Sequence, residues 1–315
     1  MIIGVSSGMT SPGPLPGHQT TAVRANWLGR YLSVERRFDH DIEKALLAAA
    51  VDSEKRIVAL VDSPGVGAKT RRLQMSLARN QIRSTVTSLF GKNITGLIKH
   101  FQGDAANAAV DAALYDELPL LGKFFRSKAQ RNAYQSSLHA TASRNIESTI
   151  TRVLGLSKMP LSKRVYRTQA LAQGRVDSAI NNALSRGDSA KDLAKSVRAL
   201  IDPNVAGGVS YAAMRLGRTE INNAFHAQSI HDAIEKPWVN QMRWHLSKVH
   251  EPQGCFCEKY AIQGLFQANH VPNKPHPQCR CYVTPELPDY NEFEVDLLGG
   301  QYDSYLDNLL NAAGA

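Results

Sequence analysis

All four cysteines of the chain lie between positions 255 and 281, as two Cys-x-Cys pairs, Cys255-Phe256-Cys257 and Cys279-Arg280-Cys281, with 21 residues between the pairs. Six of the ten histidines share the last third of the sequence: His226, His231, His245, His250, His270 and His276. Thiolate and imidazole are the ligands that tetrahedral zinc prefers, so Cys255, Cys257, Cys279, Cys281, His250 and His276 form a candidate set for a structural zinc ion. A one-residue spacer suits a shared metal less well than two, because alternate side chains of an extended segment point to opposite sides. Two other readings stay open on the same residues. The pairs could join as disulfides once outside a reducing compartment, or the thiols could stay reduced and pack as small apolar side chains. A nucleophilic cysteine with a histidine partner has no recognisable motif around it.

These residues need a frame. Short β-like stretches, VNQMRWHL (239–246) and RCYVTPEL (280–287), flank an irregular segment punctuated by Pro252, Gly254, Gly264, Pro272, Pro275 and Pro277. Thirty or so irregular residues in a compact unit need something to pin them, and the cysteines are the obvious pins. Before them, 209–236 reads as a long helix ended by Pro237, about seven turns. Arg215, Thr219, Asn222 and His226 line one side of it, with Arg218 four residues before Asn222, so the stripe is polar. A buried polar stripe must find partners, which the unpaired backbone groups of the Cys/His loop would supply. Arg280 could add donors to loop carbonyls or to Glu220.

Residues 1–24, rich in Gly, Pro, Ser and Thr, read as a flexible arm. From near Trp27 to Leu200 the apolar residues recur at helical spacing, as in Leu73, Leu77, Ile82, Val86 and Leu89. Breaks are expected at Asp62–Gly65, Gly91, Gly103-Asp104, Pro119, Met159-Pro160, Gly187-Asp188 and Asp202-Pro203, with Ser189 capping a helix that carries Asp192 in its first turn. The reading is a mainly α protein: a multi-helix N-terminal region (25–205), then a small α+β C-terminal Cys/His module (206–288) opened by Ala206-Gly207-Gly208, then an acidic tail (289–315). In the tail, Tyr302, Leu306, Leu309 and Leu310 have helical spacing, and it reads as a frayed surface end, with docking on a partner or on the body as the alternative. PGVGAKT (64–70) lacks the glycines of a phosphate loop and reads as a turn into a helix. His40-Asp41 and His231-Asp232 read as surface pairs.

With 43% hydrophobic residues the chain can bury a core without staples. No stretch is apolar over the length of a membrane span, and the N-terminus has no secretory pattern, so no membrane partner is expected. The net charge of +9 is uneven: 120–200 holds fifteen Lys/Arg against four Asp/Glu, whereas 286–315 holds seven acids and no base. The basic helices fit weak, sequence-independent contact with DNA phosphates, or simply solvated faces.

In order, RTE-x-N-x-A on a helix, a Trp, H-x-P before a Cys-containing turn with an acid and Tyr-Ala, and P-x-H-P-x-C-R-C before a strand resemble the Mu F-like phage head morphogenesis domain over about 205–288. The matching residues are Arg218, Thr219, Glu220, Asn222, Ala224, Trp244, His250, Cys257, Glu258, Tyr260, Ala261, Pro275, His276, Pro277, Cys279, Arg280 and Cys281. Two positions depart: Cys255 stands where the family more often has an acid, and Glu258 where Asp is commoner. The resemblance implies a non-enzymatic minor capsid protein inside the head near the portal, present in the host cytoplasm during assembly. Its implied partners are the portal protein, a major capsid or scaffolding protein and packaged DNA. The rival reading is a metal-dependent hydrolase or nuclease built on His250, Cys257, Glu258 and His276.

Overall fold

The computed structural model describes residues 21–61, 68–122, 124–156, 159–186, 188–203, 205, 208–248 and 255–312. The protein is mainly α, 78% helical, with a small three-stranded antiparallel sheet near the C-terminus. Among the described residues, the helices are α1 (Thr21–Val61), α2 (Ala68–Ser88), α3 (Thr95–Leu121), α4 (Lys128–Val153), α5 (Leu161–Arg186), α6 (Ala190–Ile201) and α7 (Val209–Glu235), followed by α8 (Phe256–Gln263), α9 (Tyr290–Leu298) and α10 (Asp303–Ala312). The strands are β1 (Gln241–His245), β2 (Leu265–Gln267) and β3 (Tyr282–Glu286), with β1 in the centre. Met242 pairs with Phe266 on one side and Pro285 on the other, and Trp244 pairs with Val283.

Helix α1 shows why the long helices form. Tyr31, Val34, Phe38, Ile42, Leu46, Ala50 and Ile57 are buried at three, four and seven spacing, which is one face of a helix. Ser127 and Ser189 cap α4 and α6 by accepting the backbone N–H of Gln130 and Asp192, as Ser189 was expected to do. Two expected breaks do not occur, and a third comes two residues late. Leu89–Ile94 forms a π turn between α2 and α3 that absorbs Gly91, with Thr95 Oγ1 donating to the Phe90 carbonyl. Gly103-Asp104 lies inside α3, and Pro119 sits in its last turn, where the helix ends two residues later at Leu121. Tertiary packing overrides the local signal here. Residues 62–67, most of the PGVGAKT segment and most of the N-terminal arm lie outside the described residues, and α1 already begins at Thr21.

Helix α7 lies at the centre of the molecule, against α3, α4, α5 and α1. It packs closely because the facing helices are built from small residues: Ala213, Ala224, Ala227 and Ala233 on α7, Ala105, Ala106, Ala108, Ala109 and Ala113 on α3, all buried. At Gly217 an added Cβ would overlap the ring of Phe38 from α1. One buried cluster includes residues from Tyr31 to Leu310. The tail up to Ala312 is docked, contrary to the expectation of a frayed surface end. Tyr302, Leu306 and Leu310 are buried, and α10 lies on α4.

Candidate metal centre

From Cys255 onward the segment that reads as irregular carries a helix and a strand. Cys255 caps α8, its Sγ accepting the Cys257 N–H at 3.4 Å, and Gly264 ends that helix at φ 74°, a left-handed conformation that suits glycine. Gly264 then passes its carbonyl to the Trp244 N–H at 2.8 Å, and β2 pairs with β1. Trp244 is buried within an aromatic cage of Tyr260, Phe266 and His226, with ring centroids at 5.0, 6.5 and 5.6 Å. Neither α8 nor β2 was expected, since each is too short to show a period.

The loop from Val271 to Cys281 is held from outside itself. The Thr219 hydroxyl accepts the Gln278 N–H at 3.2 Å, and His226 Nε2 donates to the Pro272 carbonyl at 3.0 Å. Asn273 donates to the Leu154 carbonyl at 3.1 Å. The polar stripe of α7 thus meets the loop at Thr219 and His226, as expected. Burial pushes the His226 imidazole down to about 3, so its ring is neutral in the fold. The other motif residues find different partners. Asn222 accepts from Tyr31 and donates to Glu35, both on α1, at 3.2 Å for the second bond. Arg280 pairs with Glu35 at 2.7 Å rather than with Glu220. Glu220 is buried under Arg164 of α5, whose Nε donates at 2.7 Å, and Arg218 pairs with Asp39 of α1. Desolvation raises the Glu220 carboxyl, against the pull of Arg164. Neither Glu35 nor Arg164 was singled out in the sequence, because contacts across more than fifty residues leave no local signal.

Five of the six candidate ligands converge. Cys257, Cys279 and Cys281 are buried, and their sulfurs lie within 4.8 Å of one another; Cys255, Cys257 and His276 form a second such group, sharing Cys257. The sixth, His250, lies outside the described residues. The Sγ atoms of Cys257 and Cys279 are 3.4 Å apart, and Cys257 Sγ is 3.7 Å from His276 Nε2. Metal–ligand bonds near 2.3 Å to sulfur and 2.0–2.1 Å to nitrogen place two tetrahedral ligands about 3.8 Å (S to S) or about 3.5 Å (S to N) apart, so the donors fit a zinc-sized ion. His276 is set up for this role. Its Nδ1 faces the Pro277 carbonyl at 3.0 Å, which can only accept, so Nδ1 carries the proton and Nε2 presents a lone pair toward Cys257.

The three buried thiols shift one another. Burial pushes the Cys257 thiol up to about 12, and the hydrogen bond shared with Cys281 raises Cys279. Cys281 is pulled down to about 5, chiefly by the Cys279 thiol and then by the Ser247 N–H. Beside them Lys274 turns its ammonium inward, donating to the Cys279 carbonyl at 2.9 Å, although part of the residue reaches solvent. Lysine normally keeps that group in water. Burial pushes it down to about 8 against the attraction of Cys279 and Cys281. All four cysteines are free thiols here, and a divalent ion would replace the protons of those that bind it.

The decoy pairs divide. His40 is exposed, whereas Asp232 is buried and accepts from Gln228 at 2.7 Å, so the expectation of a surface pair fails at His231-Asp232. Among the described residues, no helix is long and apolar enough to cross a membrane. No family model, no curated protein and no solved structure matches this chain.

Proposed function

We propose that this chain is a phage minor head protein, associated with the portal inside the procapsid, and that its Cys/His centre holds zinc as a structural staple without catalytic turnover. The reading of role rests on the resemblance of 205–288 to the Mu F-like domain. One observation carries the structural half of it: the motif residues are spent on burial and on partners in the surrounding helices. Glu220, Asn222, Trp244, Cys257, Cys279 and Cys281 are all buried, and Arg218 and Arg280 are tied to α1, so the motif locks a loop onto helices and does not line a cleft. That is the work of a scaffold, whereas a hydrolytic metal needs an open position and a positioned base. The basic helices α2, α4 and α5 would lie toward packaged DNA, and exposed Val295 and Leu298 on acidic α9 would meet a portal, capsid or scaffolding protein.

The test is assembly. Heads produced with the protein should carry it in few copies at the portal vertex, seen by cryo-EM, and Val295→Glu with Leu298→Glu should lower that copy number while the purified variant keeps its helical circular dichroism. Truncation at Asp289 would be a poor substitute, because α10 buries Leu306 and Leu310. Absence of the protein from heads, or a phosphodiesterase or peptidase activity lost in Cys257→Ser, overturns the reading.

A further inference from the structure

Five donors fall into two groups of three that share Cys257, one more donor than a tetrahedral ion takes. We infer that the resident ligands are Cys257, Cys279, Cys281 and His276, and that Cys255 is a reserve thiol: half-exposed, open to soft electrophiles, and able to take the fourth position when His276 leaves it. The inference rests on the zinc reading above and narrows it.

Three observations choose between the two contenders for the fourth position. First, His276 is preorganised, its Nδ1 proton held by the Pro277 carbonyl and its Nε2 aimed at Cys257 Sγ, so binding metal costs it no hydrogen bond. The Cys255 sulfur accepts the Cys257 N–H as the cap of α8, a bond that, like that from the Ser247 N–H to Cys281, leaves the sulfur able to take a metal when the imidazole goes. Second, the charges balance only one way. A divalent ion with three thiolates and a neutral imidazole carries one negative charge, which the inward ammonium of Lys274 answers, while the neighbouring Arg280 is taken by Glu35. A fourth thiolate would leave a second negative charge without a partner beside a buried cluster. Third, Cys257, Cys279 and Cys281 are buried, whereas Cys255 is half-exposed, with an exposed Phe256 next to it, and can be reached from solvent. Its sulfur still lies within 4.8 Å of both Cys257 Sγ and His276 Nε2, close enough to replace the imidazole by a small shift.

The full-length chain loaded with Zn(II) alone, then treated with N-ethylmaleimide under native conditions, separates the possibilities by mass spectrometry. One zinc per chain with modification confined to Cys255 is expected. Cys255→Ser should keep its zinc, and His276→Ala should also keep it while Cys255 becomes protected from the reagent. The double variant should lose the ion to a mild chelator. In the Co(II)-substituted protein, His276→Ala should raise the thiolate charge-transfer absorption by one sulfur's share, a change that mere loosening of the loop would not produce. Protection of all four cysteines in the wild type, or loss of metal in Cys255→Ser, overturns the assignment while leaving a zinc staple in place. Failure of the wild type to bind zinc at all overturns the zinc reading itself, and this inference with it.

Discussion

Arg280 stands between two of the candidate ligands, Cys279 and Cys281, and its Nε meets Glu35 Oε2 of α1 at 2.7 Å, where Glu35 is 3% exposed. The same carboxylate accepts from Asn222 of α7 through its other oxygen. The Cys/His loop, the central helix and the first helix are therefore joined at one buried acid, some 240 residues away in sequence from the loop it anchors.

Removing the cation should expose that dependence. Arg280→Met removes the guanidinium from the buried Glu35 carboxylate and leaves it the Asn222 hydrogen bond, at a cost of about 2–3 kcal/mol, kept below the fully buried range because the guanidinium is partly exposed. Urea unfolding should show the midpoint shift with little change in slope, and Glu35→Gln combined with Arg280→Met should cost less than the two single losses added together.

Gly217 supplies an independent measure of how tightly α1 and α7 meet. Gly217→Ala would press a methyl group into the buried Phe38 ring, so it should destabilise by about 1–3 kcal/mol despite alanine's better helix propensity. Adding Phe38→Leu should restore part of the loss, and a double-mutant cycle on thermal midpoints would read the coupling.

Asp232 should make the fold less stable as pH rises. Burial, opposed by Lys236 and Gln228, lifts its carboxyl from 3.8 to about 6, with Glu117 adding to the rise and His139 opposing it. Between those two values the folded state binds the extra proton, so this group's contribution favours folding below about 4 and is lost by about 6. Asp232→Asn should flatten that slope and leave the protein about 2–3 kcal/mol more stable at neutral pH. Thermal midpoints from pH 4 to 7 for the two proteins decide it, and parallel curves would refute the assignment.

Chelation tests the staple. A strong chelator should lower the thermal midpoint and open the 271–281 loop to hydrogen exchange, and Zn(II) should restore both. Because the ligands must shed protons to bind, the zinc-dependent part of the stability should fade as pH drops. Cys279→Ser should abolish the response to chelator.

Much of this protein is legible in its sequence. The span of α7 from Val209 to Glu235, the strands around Met242 and Val283, the Ser189 cap and the crowding of cysteine and histidine after residue 250 follow from periodicity, capping chemistry and residue type, all of which act over a few residues. The convergence of Cys255, Cys257, Cys279, Cys281 and His276 was readable as a candidate for the same reason: few other arrangements give an irregular loop so many soft ligands. Tertiary structure alone decided the rest. It carried α3 through Gly103 and Pro119, gave Arg280 to Glu35 and Glu220 to Arg164, turned Lys274 inward, and laid α10 on α4. Each of those outcomes depends on which distant side chain shares a buried space, and a linear pattern carries periodicity and spacing but no record of which surfaces meet once water is excluded.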